Sequence, residues 1–278
     1  LLKVEGNVDF HTGNIHFPGD VEISGNVEER FIVEAKGDIM INGIVENAEV
    51  RATGNIIVKK GIIRNSRIIA GKKLETEFIQ DSYTECGGNL IVHKSIVKSI
   101  INASEDITVT SMYGSNGIVG GAVNAGYDIS TYCIGTELGV QTKVGAGRNN
   151  KLFLHYKKLV SNGLKAKANI KRFKKVIELM KAGSDKKISS MEKIKQEKIE
   201  RALAEQKNEF DSIIKELEEI KSQAEKFTTA KVKVFGTAHE GAEISIWGIM
   251  MHLEKSVIKS VFFFDRENNV VTYKPLNS

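Results

Sequence analysis

Six histidines, two cysteines, one glycine-rich loop and a run of lysines are the residues of this 278-residue chain whose types could do chemistry. His11 and His16 are the only close neighbours among the histidines; His93, His155, His239 and His252 stand apart. A metal site at the near pair would need further ligands that the surrounding sequence does not supply, so the pair reads as surface histidines. A glycosidase-type centre needs two carboxylates at a fixed separation, and acids such as Glu34, Glu49 and Glu75 do not recur at matching positions of the repeat described below. Tyr113-Gly-Ser-Asn-Gly-Ile-Val-Gly-Gly121 has the composition of a phosphate cradle, but no helical pattern follows it to provide an amide-lined N-terminus. Cys86 and Cys133 read as buried thiols in a reducing compartment. The sequence thus implies no catalytic group, no cofactor and no metal. What remains is charge: Lys157, Lys158, Lys165, Lys167, Lys171, Arg172, Lys174 and Lys175 make a basic face that could meet a protein partner, nucleic acid or anionic lipid. Aromatic residues for base stacking are few there, only Phe153, Tyr156 and Phe173.

The elements that hold these residues follow from a repeat. A short phrase returns six times: Ala35-Lys-Gly-Asp-Ile39, Ala52-Thr-Gly-Asn-Ile56, Ala70-Gly-Lys-Lys-Leu74, Cys86-Gly-Gly-Asn-Leu90, Ala103-Ser-Glu-Asp-Ile107 and Ala125-Gly-Tyr-Asp-Ile129. Subtracting first positions gives spacings of 17, 18, 16, 17 and 22. A fixed short period signals a repeat architecture, and a run so rich in Gly, Asn, Ile and Val is a poor helix. We read a parallel β-helix of about 17 residues per coil, with strands stacked about 4.8 Å apart. The wandering coil length differs from the strict hexapeptides of left-handed β-helices and predicts a right-handed one. The Gly-Asp and Gly-Asn pairs are expected to mark a corner, with Gly supplying positive φ and Asp or Asn bonding to nearby backbone. The small Ala or Cys is expected just before that corner, facing inward.

Gly6-Asn-Val8, Gly19-Asp-Val21 and Gly25-Asn-Val27 place the solenoid under way from the first residues. Its opening edge would invite aggregation unless capped, so a preceding N-terminal domain is expected. After Gly147 the pattern changes. Leu152, Tyr156, Leu159, Gly163, Ala166, Ile170, Phe173, Ile177 and Met180 alternate by 4 and 3 residues, as do Ile199, Leu203, Gln206, Phe210, Ile213, Leu217, Ile220, Ala224 and Phe227. With Ala182-Gly-Ser-Asp-Lys186 as a short link, they predict an antiparallel coiled-coil hairpin with arms of about 50 and 60 Å. Residues 148 to 181 carry 11 Lys plus Arg against one Glu, whereas 187 to 227 carry 9 against 10 acids. Acids of the second helix are expected to answer some of the first helix's lysines.

From Lys231 the β pattern returns for one more coil, and Val257 to Phe264 with Val270 to Tyr273 read as a terminal β-hairpin capping it. The chain therefore divides into a β-helix at 1–147, a helical hairpin at 148–229, and a returning coil with its cap at 230–278. The net charge of +5 and 41% hydrophobic content suit a chain with two structural units. No stretch approaches about 18 continuous apolar residues, and the start is no signal peptide, so a cytoplasmic location is expected.

The phrase Gly6-Asn-Val-Asp-Phe-His-Thr-Gly-Asn-Ile-His-Phe-Pro-Gly-Asp-Val21, the Ala-x-Gly-Asn-Ile repeats, the coiled coil and a closing Val-x-Val-x-Gly-Thr-x-x-x-Gly-x-x-Ile segment at 232 to 244 together resemble the flagellar assembly protein A (FapA) family. The corners at 70–74 and 103–107 depart from the repeat, with Lys and Glu in place of Gly. The resemblance covers nearly the whole chain. It implies a β-solenoid preceded by a distinct N-terminal domain. It also implies a non-catalytic scaffold acting through protein interactions in bacterial flagellar assembly or polar placement, with flagellar or pole-localised proteins as partners.

Overall fold

A computed structural model describes residues 1–110, 117–148, 150–182 and 190–276. The chain forms two units, one of residues Leu1–Asn150 with Lys226–Ser278 and one of Lys151–Glu225. The first is a parallel β-solenoid, mainly β, as the repeat predicts.

Its register follows the repeat coil by coil. Val21 lies beside Ile39, Ile39 beside Ile56, Ile56 beside Leu74, Leu74 beside Leu90, Leu90 beside Ile107 and Ile107 beside Ile129. The chain then completes the strand Thr142–Ala146 and gives rise to the separate unit Lys151–Glu225, and Ile129 next pairs with Val232, 103 positions on. Every member of this column is no more than 1% exposed. Aliphatic residues one pleat apart on each strand face the same inner side, and each such buried side chain stabilises the fold by about 1.5–3 kcal/mol. Ala35, Ala52, Ala70, Cys86, Ala103 and Ala125 form the neighbouring buried stack at the corner. Two threonines interrupt aliphatic columns: Thr76 between Val58 and Val92, and Thr84 between Ile68 and Ile101. Both are buried, and neither hydroxyl has a hydrogen-bond partner.

The corner works differently from the expectation. Gly37, Gly54 and Gly71 do not adopt positive φ, nor do Gly25 and Gly43, which stack at a separate corner on the other side of Val21–Ile23 and Ile39–Ile41. They are small because adjacent coils touch there. A Cβ on Gly37 would lie 2.0 Å from Asp20 Oδ1 and 2.8 Å from the Asp20 nitrogen, and one on Gly54 would lie 2.0 Å from Asp38 Oδ1. The Asp and Asn side chains likewise bond to the next coil instead of to their own turn. Asp20 Oδ1 accepts from the Asp38 N–H at 2.8 Å, Asp38 Oδ1 from the Asn55 N–H at 2.7 Å, and Asn55 Oδ1 from the Lys73 N–H at 3.2 Å. Lys73 has no such oxygen and ends the run. It resumes at Asn89, whose Oδ1 takes the Asp106 N–H, and continues from Asp106 to Asp128 and from Asp128 to Lys231. The ladder thus crosses the insertion and fixes the returning coil. The Asn55 amide, first its backbone and then its side chain, holds the Asp38 carboxyl below its ordinary range.

Positive φ occurs at Gly6 and Gly13, each followed by Asn as expected, and at a further corner. Arg30, Asn47, Arg64, Asp81 and Lys98 stack there in left-handed conformation, and the 22-residue coil places Gly120 and Gly121 at that level. Behind them runs a column of hydroxyls. Ser66, Ser82, Ser99 and Thr142 donate back to Ile63, Gln80, Val97 and Val140 carbonyls, bracing the bend.

At the far end the chain reverses. Val257–Asp265 runs antiparallel to Lys231–Ala238 on one side and to Val270–Pro275 on the other. Phe262 is fully buried and packs on Tyr273, while Phe263 faces outward with Lys274 over its ring.

The inserted unit is a two-helix hairpin built from α1 (Asn150–Ala182) and α2 (Ser190–Phe227). The link of the hairpin at 183–189 and the Leu152, Met191 and Ala224 side chains lie outside the described residues. Leu159, Ile213 and Ile220 form its buried centre, with Leu217 packed against them. His155 meets Glu216 and Asn169 meets Gln206, so one index rises as the other falls, as antiparallel helices require. Gly163 occupies the seam opposite Ile213, whose Cγ2 a Cβ would meet at 3.5 Å.

Candidate interaction surfaces

Outward residues of the solenoid form ladders because strand register brings every second residue of each coil into line. On one face the charges link continuously. His16 Nδ1 lies 2.9 Å from Glu34, Arg51 reaches both Glu34 at 3.5 Å and Glu49 at 2.5 Å, and Arg67 approaches Glu49 at 3.5 Å. The Arg67 guanidinium then covers the Tyr83 ring at 5.1 Å, and the Tyr83 hydroxyl donates to Glu85, which pushes the phenol pKa up. A second ladder joins Glu75 to Lys73 at 2.7 Å and to His93 at 3.0 Å. These partners, Lys73 first, depress the Glu75 pKa. Glu34, Glu49 and Glu75 are thus each matched by cations on their own or adjoining coils. Such exposed pairs contribute little stability individually, but they leave these faces without a strong field of either sign.

His93 also carries a contact that spacing alone does not show. Its Nδ1 lies 3.3 Å from Thr110 Oγ1, completing an order of hydroxyl, imidazole and carboxylate. The roles are wrong for nucleophilic catalysis, since Thr110 also aims its hydroxyl at the His93 carbonyl at 3.4 Å. A nucleophile must give its proton to the imidazole. No group of three or more His, Cys, Asp or Glu that could hold a metal ion gathers among the described residues, at His11 and His16 or elsewhere. Cys86 and Cys133 are free and buried, and burial pushes both thiols up. Of the glycine-rich loop, residues 111–116 lie outside the described residues, and Ile118–Ala125 is a strand of the solenoid that turns the left-handed corner at Gly120 and Gly121.

The basic residues are placed together along α1. Lys158, Lys165, Lys167, Lys171, Arg172, Lys174 and Lys175 are exposed, and the Lys157 side chain lies outside the described residues. The expected answer from α2 is missing: among the described residues, the only ion pair between the helices is His155 with Glu216, and none of these seven cations has an acidic partner. Exposed apolar residues lie among them, Leu154, Leu164, Val176 and Leu179. Sequence periodicity finds the inner seam but not these four, which fall outside the heptad positions.

The described residues thus form a β-solenoid interrupted by a helical hairpin, with paired charges along the solenoid and a basic first helix. Residues 1–270 match the family model of the Flagellar Assembly Protein A (FapA) beta solenoid domain, and the chain belongs to that family. Comparison with curated proteins and with solved structures returns no match. Membership points to a role related to flagellar assembly, in a family that is generally of scaffold type. Among the described residues no helix is long and apolar enough to cross a membrane.

Proposed function

We propose that this protein is a non-catalytic, cytoplasmic scaffold for bacterial flagellar assembly or polar placement, recruited to the flagellar base or cell pole. In this reading the solenoid is a rigid platform and residues 148–229 are a separately acting arm that engages partner proteins. The observation that carries it is family membership over 1–270 in a chain whose Glu34, Glu49 and Glu75 carboxylates pair with cations on their own or neighbouring coils. The contact face is assigned to Lys157, Lys158, Lys165, Lys167, Lys171, Arg172, Lys174 and Lys175.

A second reading takes the same basic helix as an electrostatic attachment to nucleic acid or anionic lipid. It is favoured by the seven described cations having no acidic partner among the described residues. The test is a strain of the source bacterium whose own copy has residues 151–225 replaced by a short Gly/Ser linker. Flagella counted by electron microscopy should fall in number or lose their position. Unchanged flagellation, in this strain and in a full deletion, would refute the assembly role.

A further inference from the structure

We infer that α1 attaches the protein to an anionic phospholipid surface, lying along it with the basic face down. This rests on the second reading above, that the basic helix is an attachment element, and goes further by choosing the partner. The first observation is charge. Residues 148–181 carry a surplus of 10 positive charges in a chain whose total is +5, so the remainder is net negative. In addition, Lys158, Lys165, Lys167, Lys171, Arg172, Lys174 and Lys175 have no acidic partner among the described residues. Surface cations left unpaired beside an acid-rich helix are available to an external anion.

The second observation is the exposure of Leu154 at 66%, Leu164 at 65% and Leu179 at 63%, with Val176 at 41%. Their spacing decides what covers them. A helical partner requires an apolar residue every three or four positions. These residues are separated by 10, 12 and 3 positions, or about 15 and 18 Å before the last short step. They are too sparse for a second seam, but single leucines can each sink between headgroups. Lysines around them can lay their methylenes on the apolar boundary and reach phosphate with the ammonium.

The same leucines count against nucleic acid, which offers them no apolar surface. No Trp and few aromatics stand on α1 to stack on bases. Attachment would be peripheral, since no described helix can span a bilayer.

The test uses the full chain and vesicle flotation. Vesicles of phosphatidylcholine alone are compared with vesicles containing about 30% phosphatidylglycerol in about 50 mM salt, where charges are weakly screened. The expected result is binding to the anionic vesicles only, weakening as salt rises. Each Lys or Arg near such a surface is worth about a fivefold change in binding, so Lys165→Glu/Lys171→Glu/Arg172→Glu/Lys175→Glu should bind at least about 500-fold more weakly. Leu154→Ser/Leu164→Ser/Leu179→Ser should lose at least about tenfold with charge unchanged. If the Glu set loses its helical dichroism, Gln at the same four positions serves, with a smaller loss. Failure to bind the anionic vesicles, equal binding to phosphatidylcholine alone, full retention by the folded charge variant, or tighter binding to duplex DNA would each overturn the lipid assignment. None of these outcomes touches the flagellar reading, which is judged by flagella on cells.

Discussion

Asp38→Ala and Asp38→Asn separate the acceptor role of the corner carboxylate from its charge. Asp38 Oδ1 takes the Asn55 N–H at 2.7 Å, and both carboxylate oxygens lie 3.2 Å from the Asn55 side-chain amide. Alanine removes every one of these bonds and leaves the Asn55 N–H to water, because the corner is open to solvent. A hydrogen bond to a charged acceptor is worth about 1.5–3 kcal/mol when shielded. Solvent at this site reduces that to about 1 kcal/mol. In a chain of this size the loss corresponds to a fall in Tm of about 2–4 °C. Asparagine keeps Oδ1 in place and should retain most of the stability at pH 7. The folded-state carboxyl is held below its ordinary value by the Asn55 amide. Its extra contribution is therefore present above the unfolded pKa and disappears as pH falls through the folded value. The gap between wild type and Asp38→Asn should accordingly close in acid, while Asp38→Ala stays lower at every pH. Thermal unfolding followed by circular dichroism across pH 3–7 reads all three proteins. An Asp38→Asn loss as large as that of Asp38→Ala, or no loss in either, would refute the inter-coil ladder.

Gly37→Ala should be far more damaging than its size suggests, by about 1–3 kcal/mol or more in denaturant unfolding, since its Cβ meets Asp20 backbone and side chain; a neutral result would restore torsional freedom as the reason for glycine. Thr84→Val should raise stability by about 1 kcal/mol, seen as a higher midpoint, because it replaces a buried hydroxyl without a partner by a methyl; a loss would mean that the hydroxyl is bonded. Asn169→Leu/Gln206→Leu should raise the melting temperature of the hairpin while permitting other registers or oligomers, detected by light scattering, since the Asn169–Gln206 contact at 3.1 Å is a polar layer beside the seam.

Coil length, strand stacking and the hairpin were legible because each is a periodicity of residue type, carried by Ala35 to Ala125 and Ile39 to Ile129, and by the two heptad seams. The role of Gly37 was not. Its conflict is with Asp20, one coil away, and only the register of stacked coils brings them together. The left-handed corner was hidden for a different reason. Arg30, Asn47, Arg64, Asp81 and Lys98 share a backbone conformation but no side-chain chemistry, so nothing repeats in their letters. The hydroxyl column from Ser66 to Ser99 does repeat at 16 and 17 residues and could have been found by aligning the coils on Ala70, Cys86 and Ala103. For the candidate surface, composition exposed the basic helix, whereas the absence of answering acids among the described residues and the exposure of the leucines outside the seam required side-chain placement.

The central claim is that the protein gathers flagellar or polar proteins through its helical arm. It is tested most directly by affinity capture from lysate of the source bacterium, with the intact chain beside a version in which residues 151–225 are replaced by a short Gly/Ser linker. The account predicts that flagellar-base or cell-pole proteins come down with the intact chain and are lost from the linker version. Recovery of the same proteins by both, or of no flagellar or polar protein by either, would contradict it.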